Sequence, residues 1–141
     1  MNDPHVESRR WFYQARADLD VARTLQDARH FAAACFHCQQ ASEKALKAVL
    51  YSQGARVVLG HAVADLARQC EAHDSSFANR IADGNLLDQF YIPTRYPNGL
   101  PTPSIPSESY SESQSITAME AAERVIGAAE SFLRDHTDAL G

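Results

Sequence analysis

His37, Gln40, Lys44 and Lys47 follow one another at steps of three, four and three, the rhythm that gathers side chains on one side of an α-helix. An imidazole, an amide and two ammonium groups in one row make a face suited to an anion or a partner. Farther along, the block Tyr91-Ile-Pro-Thr-Arg95-Tyr96-Pro97 brings a guanidinium between two phenol rings. Lysine supplies a mobile point charge, while arginine grips a phosphate through two parallel hydrogen bonds. Tyrosine rings offer faces on which a base can stack. These seven residues (His37, Gln40, Lys44, Lys47, Tyr91, Arg95 and Tyr96) are the candidate ligand-binding set, and the ligand they fit is a nucleotide or an RNA phosphate. Nothing resembles a glycine-rich phosphate loop.

Plainer roles compete with that reading. Glu43 and Lys47 are spaced for an ordinary intrahelical pair, which stabilises by about 0.2 to 0.5 kcal/mol. A polar stripe also serves as a dimer interface, and Arg95 can tie a loop to a helix C-terminus by bonding its last carbonyls. Cys35 and Cys38 form a C-x-x-C inside an apolar stripe. A structural zinc asks for about four ligands, and only Cys70 and scattered histidines are left to complete the set. The cysteines therefore read as small buried hydrophobes. No metal and no cofactor is expected.

The elements that must hold these residues are helices. The candidate row lies in Phe31 to Leu50, FAAACFHCQQASEKALKAVL, where Phe31, Ala34, Cys35, Cys38, Ser42, Ala45 and Val49 form a second, small and apolar stripe. Gly54 predicts an end near Gln53. A preceding helix is expected from Ser8 to about Asp27, with Phe12, Ala15, Leu19, Ala22 and Leu25 on its apolar face and Trp11 anchoring its start. The short link at 28–30 makes the pair antiparallel.

Residues 54–60 read as a loop. A third helix then buries Val63, Leu66, Ala67 and Cys70 and ends around His73. Asp74, Ser75 or Ser76 caps a fourth, carried by Phe77, Ile81, Leu87, Phe90 and Tyr91, with a kink or break expected at Asp83-Gly84-Asn85 and an end at Pro93. Residues 93–113 take five of the six prolines and read as an irregular loop, too long for a mere connector. Thr117 and Glu120 have the spacing of a capping box for the last helix, whose seam is Met119, Ala122, Ile126, Ala129 and Leu133. The expected fold is all-α: one domain, an up-and-down antiparallel bundle of four to five helices, its core at about 8–134.

Bulk composition agrees. A chain of 141 residues, 45% hydrophobic and 22% charged, suits one globular domain. A net charge of −5 argues against coating long nucleic acids and leaves room for a local basic site. No apolar run approaches the roughly 20 residues needed to span a bilayer. MNDPHVESRR lacks the apolar segment of a secretory signal, so a cytoplasmic location is expected.

Three features together carry a resemblance: FAAACFHCQQASEKALKAVL, His61 opening the third helix, and YIPTRYPNGLP after the fourth. With them the chain resembles the HEPN domain, the higher eukaryote and prokaryote nucleotide-binding family, and most of all its prokaryotic branch akin to the HEPN domain of sacsin. The likeness runs from Trp11 to about Arg134. It implies a four-to-five-helix bundle, often a homodimer and often encoded beside a nucleotidyltransferase. Some members are toxins of toxin-antitoxin pairs that cut RNA without a metal, and others bind nucleotides or polyanions without cutting.

Cutting members carry an arginine followed after four to six residues by a histidine on a late helix. Here the literal matches are Arg23 to His30, Arg56 to His61 and Arg68 to His73. Chance alone supplies one or two such matches in a chain with this many arginines and histidines. None falls on the late helix, and Arg95 is followed by no histidine before His136. The expectation is therefore a non-catalytic domain that binds a nucleotide or nucleic-acid phosphate and acts with a nucleotidyltransferase partner. A metal-independent endoribonuclease toxin and a purely structural dimerisation module are the alternatives.

Overall fold

Asp3 makes the first helix begin earlier than the expected Ser8. In the computed structural model, which describes residues 3–141, its carboxylate accepts from the His5 N–H, and Pro4 occupies the first helical position, where its missing N–H costs nothing. Helix α1 thus spans Pro4–Asp27. Met1 and Asn2, which open the stretch read for a secretory signal, lie outside the described residues. Among the described residues no helix is long and apolar enough to cross a membrane.

Helix α2 spans Phe31–Ser52. Arg29 takes a left-handed φ of 66° in the link between them. From Ala41 to Ser52 every residue but Lys44 is buried, because α2 packs against α1 and α5 along its length and against α3 and α4 as well. Its small residues Ala34, Cys35, Cys38, Ala41, Ala45 and Ala48 are fully covered, which lets neighbouring backbones approach. Ser8 on α1 donates its hydroxyl to the Ala48 carbonyl at 2.8 Å. That bond satisfies a buried polar group at the helix contact.

Helix α3 is Val63–Glu71. Asp74 caps the next segment as expected, and hydrogen bonds from Ser76, its side chain first and its backbone N–H second, hold the carboxyl below the usual carboxylate range. The expected fourth helix is divided. A 3₁₀ turn covers Ser75–Arg80, and α4 covers Ile81–Asp88. The break precedes Ile81 rather than falling at Asp83-Gly84-Asn85, which is regular helix.

Gly84 is there for proximity. A Cβ at that position would stand 2.4 Å from the Ala64 nitrogen and 2.6 Å from its Cα. Asp88 then uses both carboxylate oxygens, accepting from the Val63 N–H at 2.7 Å and the Ala64 N–H at 3.1 Å. The end of α4 therefore caps the start of α3, a charge favoured at a helix N-terminus.

The last helix, α5, spans Glu112–His136. Its capping box is Ser111 with Gln114, not Thr117 with Glu120. Thr117 is already inside the helix, its hydroxyl bonded to the Ser113 carbonyl at 3.0 Å. The loop before α5 is ordered by two short 3₁₀ turns, Pro97–Gly99 and Pro106–Glu108. Met119, Ala122, Ile126, Ala129 and Leu133 are buried as the seam predicted. The described residues form an all-helical, up-and-down antiparallel bundle of five α-helices with the long proline loop before the last.

Candidate functional site

The chain leaves α4 through a tight turn that aims Arg95 back at α2. Thr94 is buried and its hydroxyl donates to the Phe90 carbonyl. The N–H groups of Arg95 and Tyr96 both donate to the Ile92 carbonyl, at 3.0 and 3.2 Å. So held, the Arg95 guanidinium carbon lies 4.4 Å from the Phe36 ring centre, 4.8 Å from that of Tyr91 and 5.0 Å from that of Tyr96. Its Nε donates to the Tyr91 carbonyl at 2.9 Å. That bond was the plain alternative for Arg95, and it uses only one of the five donors on the group. Among the described residues Arg95 forms no ion pair.

A cleft of about 330 Å³ opens beside it, lined by Arg95, Thr94, Pro97, Pro106, Ser107 and the first residues of α2. His30, at the N-cap of α2, makes no side-chain capping bond. Three rings held around a cation attract it through their negative faces, so the guanidinium is fixed in place without a carboxylate to neutralise it.

Tyr91 links this corner to a second group. The His61 imidazole stacks on the Tyr91 ring at 5.2 Å between centres and 18° between planes. Its Nδ1 lies 3.2 Å from both carboxylate oxygens of Glu43. Because the carboxylate accepts, Nδ1 carries the proton. Glu43 is 4% exposed and also pairs with Lys47, Nζ to Oε2 3.1 Å. Gln39, fully buried, donates its amide to the His61 carbonyl at 2.7 Å and accepts from Gln40 at 2.8 Å. Two consecutive turns of α2 thereby hold one loop histidine.

The seven residues expected to bind a ligand do not form one surface. Tyr91, Arg95 and Tyr96 converge, with Phe36 of α2 beneath them. His37 borders the group edge-on to Phe36, ring centres 5.5 Å apart, and its Nδ1 is 2.9 Å from the Ala33 carbonyl. Gln40 serves the Gln39 and Glu43 network. Lys44 turns to α1, where it pairs with Asp18 at 2.5 Å. Lys47 is buried, with its ammonium 5.5 Å from the Trp11 ring centre. The helical rhythm placed both lysines on α2, and the Glu43–Lys47 pair forms at the spacing the sequence offered, but nothing in the rhythm pointed to Asp18 as the partner of Lys44. Phe36, Gln39 and Glu43 were not among the expected ligand residues. Their signal lay in the FHCQQASEK run itself, where an aromatic, two amides and an acid recur at helical spacing.

Cys35, Cys38 and Cys70 are free and buried, and burial pushes each thiol up to about 12. No thiolate is present near neutral pH to act as nucleophile or ligand. Among the described residues no three His, Cys, Asp or Glu side chains group as metal ligands. On α5, Arg124 is bound to Asp83 and Arg134 to Glu130.

Fold and site together define a small all-helical domain with one cationic, ring-lined corner at the start of its central helix. The chain belongs to the HEPN domain family, whose profile matches residues 8–134. It is 28% identical to human sacsin over 132 residues, covering 92% of this chain and 3% of sacsin. A candidate toxin of Methanocaldococcus jannaschii is 28% identical over 133 residues, covering 86% of this chain and 85% of that protein. A crystal structure from Thermus thermophilus superposes with a TM-score of 0.84 at 30% identity, covering 89% of this chain and 98% of the other. An archaeal HEPN homologue gives 0.72 at 29% identity, covering 89% and 96%.

Proposed function

We propose that this HEPN domain binds the phosphate of a nucleotide or an RNA at the Arg95 corner, without cutting it. The observation that supports this most directly is Arg95 itself: a guanidinium caged by Phe36, Tyr91 and Tyr96, free of any acid among the described residues, at the lip of a nucleotide-sized cleft. The first turn of α2 adds N–H groups with no partner within the helix, which favour an anion. Tyr96 is 50% exposed and offers a face to a base, whereas Tyr91 is already stacked by His61. His37 borders the ring cluster through Phe36, Gln40 belongs to the Gln39 and Glu43 network, and Lys44 and Lys47 act as struts.

The test is calorimetry and thermal shift with nucleotides and short RNAs. A ligand at 100 times its Kd stabilises the fold by about 2.7 kcal/mol. Arg95→Ala weakens binding by roughly ten- to a hundredfold, the worth of a charge-assisted bond. Unchanged affinity in that variant refutes the proposal.

The family resemblance further supports a homodimer working with a nucleotidyltransferase, and the likeness to a candidate toxin supports a toxin-antitoxin-like setting. A second reading, metal-independent RNA cleavage, draws support from the Glu43-held His61, which stacks on the same Tyr91 ring that Arg95 contacts. RNA cleavage in the presence of a chelator, lost in His61→Ala, would favour it.

A further inference from the structure

Beyond its first residue, α2 is open to solvent along a single line. Ala33, His37, Gln40 and Lys44 recur at steps of four, three and four with Phe36 beside them, and every other residue from Ala32 to Ser52 is buried. Each end of the line opens into a cleft. Ala33 lines the one beside Arg95, while Lys44 lines a second, of about 360 Å³, whose other walls are Glu7, Arg10, Trp11 and Gln14 of α1. At about 1.5 Å per residue, the two ends stand roughly 16 Å apart along the helix.

Among the described residues the second cleft is polar but balanced in charge. Arg10 pairs with Glu7 at 2.9 Å, and Lys44 with Asp18 at 2.5 Å. A second phosphate gains little there, whereas a nucleobase, uncharged and edged with donors and acceptors, meets partners of both kinds. Arg10 is 72% exposed and donates to Glu7 through Nη1, one of the five donors a guanidinium carries. The Trp11 ring is held by Tyr51, stacked at 5.4 Å and 25°, and by the Lys47 ammonium at 5.5 Å. Among the described residues its N–H bonds to nothing. Gln14 gives an amide hydrogen to Asp18 at 2.8 Å, which leaves the amide oxygen to accept.

We propose that this α1–α2 cleft is a second subsite, which takes a nucleobase from the strand whose phosphate Arg95 holds, with the line from Ala33 to Lys44 as the track between them. The ligand is then a single-stranded RNA of several nucleotides and not a free nucleotide. The inference rests on the phosphate-binding reading and deepens it. A stacked strand advances about 3.4 Å per phosphate, so roughly five steps span the track, and splayed bases are read by their edges.

Trp11 is the one tryptophan of the chain, so its emission reports this cleft. The probes are adenosine and uridine 5′-monophosphates and the RNA hexamer of each, followed by calorimetry and tryptophan fluorescence. In at least one pair the hexamer is expected to bind about tenfold tighter than its monophosphate, the worth of one further base contact. At saturation it is expected to change the Trp11 emission, which the monophosphate leaves as it was. Arg10→Ala is expected to lower the hexamer affinity about three- to tenfold and to spare the monophosphate. Arg16→Ala removes the same charge from an exposed place on α1 outside the cleft, controls for general attraction of the longer anion, and is expected to change neither. Arg95→Ala is expected to weaken both. Hexamers no tighter than their monophosphates in both pairs, a Trp11 emission unmoved by a saturating hexamer, or equal hexamer affinities in Arg10→Ala and Arg16→Ala each overturn the inference and leave phosphate binding standing. If neither hexamers nor monophosphates bind, both fall.

Discussion

Replacing Gly84 with alanine should destabilise the protein although it improves the helix. In an ordinary helix interior, Gly→Ala gains about 0.5 to 1 kcal/mol. At this position the new methyl would meet backbone on its far side, 2.4 Å from the Ala64 nitrogen, 2.6 Å from its Cα and 2.9 Å from the Val63 carbonyl carbon. Backbone cannot swing aside as a side chain can, so α3 and α4 must part. Overpacking of this kind costs about 1 to 3 kcal/mol. Parting the helices also stretches the two bonds from Val63 and Ala64 to Asp88, each worth about 1.5 to 3 kcal/mol as a bond to a charged group. Setting partial loss of these against the gain leaves a net cost of about 2 to 4 kcal/mol, or a Tm lower by about 10 °C for a chain of this size. The control is Gly127→Ala on α5, where an added Cβ meets nothing within 4 Å and the gain of about 0.5 to 1 kcal/mol should appear intact. Urea titration of both variants measures the two signs. If Gly84→Ala proves as stable as the wild type, close approach does not explain the glycine.

Glu43→Ala should cost about 3 to 5 kcal/mol, because it leaves the Lys47 ammonium buried without an acid. Combining Glu43→Leu with Lys47→Met should recover much of that loss, and chemical denaturation of the single and double variants checks the coupling. The three cysteines should resist thiol reagents at pH 8 and react only on unfolding, because burial raises each to about 12 from 9.0. The sign follows from proton count. Between pH 9 and 12 the unfolded chain loses thiol protons that the folded chain keeps, so their contribution to stability is full below about pH 9 and is lost as pH rises toward 12. Melts across that range, with and without Cys→Ala changes, measure it.

The elements that could be read from sequence were those set by long periodic faces. Phe12, Ala15, Leu19 and Ala22 on α1 and Met119, Ala122, Ile126, Ala129 and Leu133 on α5 repeat at helical spacing, and all are buried. Boundaries were legible to within a few residues where a cap or a terminating glycine was local, as at Gly54 after α2. The sequence left the cap at 74–76 open among Asp74, Ser75 and Ser76, of which Asp74 serves, and Thr117 and Glu120 imitated a capping box one turn and more inside the helix that Ser111 and Gln114 begin. Gly84 looked like a turn residue because sequence shows conformational freedom and not the backbone that passes 2.4 Å from its missing Cβ. Part of the candidate row was hidden for a similar reason: the Glu43–Lys47 spacing was visible, but the burial of that pair and the Asp18 partner of Lys44 were not. Lys44 and Lys47 have the type and spacing of a phosphate row, but their charges are cancelled by Asp18 on another helix and by a Glu43 buried with Lys47. The meeting of Arg95 with Tyr91 and Tyr96 was legible by contrast, because all three lie in the same short block.

Glu43 shows why α2 resists division into a structural side and a functional one. Its carboxylate closes a buried ion pair with Lys47 and at the same time fixes the proton on His61, so one group serves both the core and the site. A change there alters stability and imidazole orientation together, and lost binding in a Glu43 variant would say nothing about which was responsible. Arg95 and His61 are better probes because their side chains are exposed and stand on loops. The rings and bonds around them come from residues that stay in place when they are replaced. The phosphate-binding proposal can therefore be tested at Arg95, and the cleavage alternative at His61, by variants that leave the Glu43–Lys47 pair untouched.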